Sequence, residues 1–167
     1  MRKLPDTIAI IGLIFMVGSV AIFWSQLPAQ VPTHFGVSGP PNSYGTKGSI
    51  WVLPIVGFLL YCFLTLISRI PMGFNYPFAA TAEMRTRLQP LTLELVGWLK
   101  AEVVWTFAWL NWTVLQISFG RSSGLSPAFP VVTLGAVVLT IAVFLIRVFK
   151  LSRRGASARL EHKARHH

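Results

Sequence analysis

Apolar segments long enough to cross a bilayer constrain this chain more than any other feature. Residues 7–24, 50–70, 95–119 and 131–149 are each predominantly apolar, and crossing a hydrocarbon core of roughly 30 Å takes about 20 such residues in a helix. A segment inside lipid must pair its own backbone N–H and C=O groups, so single runs of this kind read as helices. Pro54 lies one turn into the second run, where no internal N–H partner is lost. Composition agrees: 53% of residues are hydrophobic and only 12% charged, about half the charge a soluble surface carries. The expected fold is all-α: an integral membrane four-helix bundle in one domain over residues 1–150, followed by a basic cytoplasmic tail over 151–167. Arg2 and Lys3 would also suit a secretory leader. The stretch Ser25-Gln26-Leu27-Pro28-Ala29 lacks a small-x-small cleavage pattern, however, so the first run reads as a retained span.

The net charge of +10 raises nucleic-acid binding, but its distribution argues otherwise. Lys and Arg cluster beside the apolar runs, where they meet anionic headgroups. The implied partner is therefore the lipid bilayer with its anionic inner leaflet, and not a nucleic acid. The same residues orient the chain. Arg2, Lys3, Arg69, Arg85, Arg87, Arg147, Lys150, Arg153, Arg154, Arg159, Lys163 and Arg165 fall on one side, with Lys47 and Arg121 alone on the other. Both termini are expected inside. Trp24, Trp51 and Phe119 fall near the outer boundary, which suits amphipathic rings. Cys62, the single cysteine, forms no intrachain disulfide and is expected in the core. His162, His166 and His167 are irregularly spaced in a basic tail and read as solvated, not metal-binding.

Residues 27–47, between the first two runs, hold four prolines and three glycines. Proline fixes φ and glycine supplies positive φ, so this external loop is expected to form defined turns. It reads either as a cover over the helix ends or as a recognition surface built from Pro32, His34, Gly39, Pro41, Asn42, Tyr44 and Lys47. A metal site is not expected there. Zinc takes three or four N, S or O ligands, and the loop offers one histidine with no Cys, Asp or Glu.

The pattern Leu27-Pro28-x-x-Val31-Pro32-Thr33-His34-Phe35-Gly36-x-x-Gly39-x-Pro41-Asn42-x-x-x-x-Lys47, flanked by two apolar runs, resembles the uncharacterised membrane domain at the N-terminus of SdpI-type toxin-immunity proteins. The resemblance covers about residues 1–70 and departs at Asn42, where the family usually carries an acid. It implies a multi-pass protein of the bacterial cytoplasmic (inner) membrane with immunity, sensing or signalling associations, and no established catalysis. The last two runs resemble nothing.

The third run is the other candidate. At about 100° per residue, Glu102, Thr106, Trp109, Thr113 and Gln116 fall within roughly 40° of one line. A carboxylate in hydrocarbon costs several kcal/mol and normally faces protein or a wet cavity, so this polar stripe is expected to point inward. Lys100 and Asn111 point the opposite way, with Lys100 expected to snorkel to the inner headgroups. Glu94, near the cytoplasmic end, is expected to meet either water or Arg147. The sequence contains no paired carboxylates, no nucleophile–base pair at useful spacing, no phosphate loop and no zinc motif, so neither an enzyme nor a cofactor is expected. The leading expectation is recognition at the external loop, acting through another membrane protein or a second copy. The alternatives are a small transporter or proton-coupled module using Glu102, or an accessory subunit of a larger membrane complex.

Overall fold

The computed structural model describes residues 3–36, 39–69 and 82–165, the last range without the side chains of 82, 83, 152 and 154–165. Four long helices account for most of it: α1 (Lys3–Phe23), α2 (Val52–Arg69), α3 (Ala82–Ser118) and α4 (Ala128–Arg165). Between α1 and α2 lie two short 3-10 turns, Trp24–Gln26 and Lys47–Trp51. They flank an antiparallel hairpin of β1 (Gln30–Phe35) and β2 (Pro41–Thr46).

Three segments are long and apolar enough to cross a membrane: Lys3–Gln26, Lys47–Arg69 and Ala128–Leu151. Large apolar side chains such as Ile14, Ile22, Phe58, Leu66, Val131 and Leu134 are exposed on them. A water-soluble monomer does not leave apolar surface so continuous uncovered, so these helices mark a membrane protein. The third run does not join this set. Its Trp, Thr, Asn and Gln residues dilute the apolar content of α3.

That polarity follows from where α3 lies, for it packs against α1, α2 and α4. Ala101, Val104 and Ala108 meet Ala9 and Met16, and a Cβ on Gly12 would come 2.8 Å from the Val104 side chain. Small residues allow this close approach of two helices. Nearer the hairpin, Val114 and Leu115 join Val20, Leu27, Val31 and Ile50 in a second cluster. Phe15 stacks on Trp105 at 6.2 Å, Phe23 meets Phe119 edge-on at 5.6 Å, and Trp24 lies 6.1 Å from Trp51. A helix touched on several sides has little lipid-facing surface, and its side chains are free to be polar where they find partners.

The structure corrects several expectations. The chain is mostly helical, as expected, but the external loop adds a small β-hairpin. α3 begins at Ala82 and runs through Pro90, so the helix extends beyond the apolar run over 95–119. Proline removes one N–H from the helix ladder, yet buried Leu88 and Thr92 hold the helix on either side of it. α4 continues past 150 to Arg165. Cys62 is exposed on α2. Lys100 does not snorkel: its side chain is 4% exposed, ion-paired to Asp6, and its Nζ donates to Thr65 Oγ1 at 3.1 Å. The Glu94–Arg147 pair, one of the two expected arrangements, forms at 2.9 Å. The side chain of His162, together with His166 and His167, lies outside the described residues.

Candidate functional site

The hairpin is built from its buried edge outward. Val31 and Pro32 are buried, and Val31 enters the cluster formed by α1, α3 and the second 3-10 turn. Val31 pairs with Gly45 and Pro32 with Tyr44, after which the register slips on either side of His34. Proline cannot donate to a ladder and is tolerated next to such irregularities. At the tip, Gly36 N–H donates to the Pro40 carbonyl and Gly39 N–H to the Gly36 carbonyl, both at 2.9 Å. Gly39 adopts φ +103°, a conformation that favours glycine. The tip is docked as well as turned, since Leu125 N–H in the α3–α4 loop donates to the Gly39 carbonyl at 2.8 Å.

This frame divides the seven expected loop residues into two kinds. Pro32 and Gly39 build the hairpin, and Pro41 is half-buried at the start of β2. Lys47 also belongs to the frame. Its N–H donates to the Ala29 carbonyl at 2.9 Å and its Nζ lies 4.8 Å from the centre of the Trp24 ring, a cation–π arrangement. His34, Asn42 and Tyr44 are exposed. His34 Nδ1 and Asn42 Oδ1 are 2.6 Å apart, so Nδ1–H donates and Asn42 accepts. Asn42 thus supplies an acceptor oxygen to the His34 ring. That pairing was not visible in the sequence, because it depends on the cross-strand register.

The second group lies on α3. Glu102 Oε1 accepts from the Thr140 hydroxyl of α4, while its Oε2 is buried without a hydrogen-bond partner. Trp109 meets Phe129 edge-on at 5.1 Å. Glu102, Thr106 and Trp109 line a partly open cavity of about 390 Å³ against α4, whereas Thr113 and Gln116 are not part of that lining. Three of the five stripe residues therefore face α4 across this cavity. The opposite side of α3 faces protein too: Asn111 is fully buried and its Nδ2 donates to Ser19 Oγ of α1 at 3.2 Å. Sequence reasoning put Lys100 and Asn111 together on one side but missed their partners, because a helical wheel gives an angle and not a neighbour. Among the described residues no group of three His, Cys, Asp or Glu could hold a metal ion.

Comparison with known proteins gives a partial match. Residues 11–58 match a family model described as a domain of unknown function, DUF1648. That region holds most of α1, the hairpin and the start of α2. An uncharacterized protein of Archaeoglobus fulgidus is 34% identical over 74 residues, covering 35% of this chain and 40% of that protein. The chain thus matches about two fifths of the length of that relative. No solved structure matches. The family model thus covers the hairpin and parts of the helices that carry it.

Proposed function

We propose that this is a non-enzymatic protein of the cytoplasmic membrane that recognises a ligand with its hairpin and acts through contacts with other membrane proteins. One observation carries the reading: His34, Asn42 and Tyr44 stand exposed on a hairpin whose base is buried and whose tip is docked. A surface ordered before binding loses less conformational entropy when a ligand arrives. Tyrosine also offers large contact area with few rotors. The immunity or signalling associations implied by the resemblance fit such a surface.

The proposal includes four crossings with both termini inside. Residues 93–100 of α3 lie beside Asp6 and Arg69, and Phe119, just past its last residue, meets Phe23, so this part of α3 runs the length of α1. Arg69, Arg147 and Arg153 fall at the end opposite the hairpin, in keeping with a cytoplasmic side. In a Cys62→Ser background, an impermeant maleimide should label Ser43→Cys and Ser122→Cys on intact cells. Thr86→Cys and Arg153→Cys should react only after permeabilisation. Labelling of position 86 on intact cells would remove the four-crossing topology.

Recognition is tested by separating the hairpin from Glu102. His34→Ala with Tyr44→Ala strips the exposed face while leaving Val31, Pro32 and Gly39 in place. This double variant should abolish the phenotype conferred by the gene at normal expression. Asn42→Asp keeps the acceptor for His34 and should retain it. Glu102→Gln should reduce it by less than half. Activity that survives in the hairpin variant and vanishes in Glu102→Gln would move the transporter reading to first place.

A further inference from the structure

The cavity between α3 and α4 is independent of the hairpin, and its lining is chemically one-sided. Its floor is Trp105, Trp109 and Trp112 of α3, Phe15 of α1 comes in from one side, and α4 closes the other with Val132, Thr133 and Ala136. The hydrogen-bond donors there are largely spent within the protein. Thr106 Oγ1 donates to the Glu102 carbonyl and Thr133 Oγ1 to the Phe129 carbonyl, each at 2.8 Å, while Trp105 Nε1 donates to the Ile8 carbonyl at 3.1 Å. None of the lining residues is basic. The acidic group at the cavity is the Glu102 side chain, with one oxygen held by Thr140 and the other buried without a partner among the described residues.

An ionised carboxylate among apolar walls is unfavourable unless a cation compensates it. Alkali and divalent metal ions are poor candidates, since they require several oxygen ligands and these walls are rings and methyl groups. A cation that carries its own apolar shell needs no such cage. Aromatic faces attract it through their quadrupoles, most strongly when water is excluded, and about 390 Å³ is within the usual size of a small-molecule site. We infer that the groove lined by Glu102, Trp105, Trp109 and Trp112 is a binding site for a lipophilic organic cation of the quaternary ammonium or phosphonium class. The competing occupant is a lipid acyl chain, which would use the same walls and have no need of Glu102.

The test is isothermal titration of tetraphenylphosphonium into the full-length protein in non-ionic detergent, with tetraphenylborate as the anion of the same shape. Saturable binding of the phosphonium near one per chain is expected, with no competition from the borate. Glu102→Gln should weaken it at least 10-fold. Ala136→Leu fills the groove without touching its charge and should weaken it at least 5-fold. Absence of saturable binding would overturn the inference, as would equal binding of the borate. Binding that survives Glu102→Gln but is lost in Ala136→Leu would assign the groove to an uncharged chain and overturn the cation assignment.

Discussion

Asp6→Asn is expected to destabilise the protein by about 3 kcal/mol, the cost typical of stranding one member of a buried ion pair. Asp6 itself is 46% exposed, so its own burial would not suggest so large an effect. The cost comes from the partner. The Lys100 side chain is 4% exposed, and among the described residues Thr65 Oγ1 at 3.1 Å and the Tyr61 ring at 4.8 Å are what remain for its charge without the carboxylate. Lys100→Met removes the charge, keeps the stem's shape, and leaves an aspartate that water can reach. That change should cost within about 1 kcal/mol, since replacing a buried charge by an apolar side chain is often near neutral. The double variant should match Lys100→Met and not the sum of the two. Reversible SDS unfolding followed by tryptophan emission measures all three. Equal losses in the two single variants would show that the buried charge does not dominate.

The same pair shows how far the sequence could be read. Apolar runs located all four long helices, because the length needed to cross hydrocarbon is a strong constraint on any chain. They could not show that α3 lies against three neighbours, since polar residues in a span read the same whether one side or two are buried. Lys100 was therefore expected to reach headgroups, and Cys62, with apolar neighbours in sequence, was expected in the core. Burial here depends on which helix faces which, and that is settled by packing such as Gly12 against Val104. The boundaries of α3 and α4 extended beyond expectation because helices continue past the apolar segment, even through Pro90.

The loop was legible in another way. Its prolines and glycines implied fixed turns, and the ordered hairpin agrees with that. The strands themselves were hidden, since proline, glycine, asparagine and serine are poor strand formers, and the pairing is held largely by Val31 from beneath. The expected seven residues included both the frame and the exposed face, and only the register separated Lys47 over Trp24 from His34 beside Asn42.

How the hairpin tip is held leads to the other large effect. Gly39 and Gly124 meet backbone to backbone: a Cβ on Gly124 would come 2.6 Å from the Gly39 carbonyl oxygen and 2.8 Å from Pro40 N, and one on Gly39 2.7 Å from the Leu125 carbonyl oxygen. No side chain can rotate away to relieve those contacts. Gly39→Ala adds a second penalty, because its φ of +103° suits only glycine, and such strain costs about 1–3 kcal/mol. Gly124→Ala carries the steric penalty without the unfavourable φ and so isolates the docking. Both should undock the tip and break the bond from Leu125 N–H to the Gly39 carbonyl, so amide exchange at Leu125 should accelerate at least 10-fold. The helices should keep their unfolding midpoint in Gly124→Ala, because Val31, Ile50, Val114 and Leu115 hold the base of the hairpin separately. Gly48→Ala is the control, since its Cβ would meet only Thr46 Oγ1, at 3.9 Å. If recognition needs a pre-ordered face, Gly124→Ala should lower the phenotype nearly as far as loss of His34 and Tyr44, while Gly48→Ala leaves it intact. Unchanged exchange at Leu125 in both tip variants would show that the interlock does not hold the hairpin.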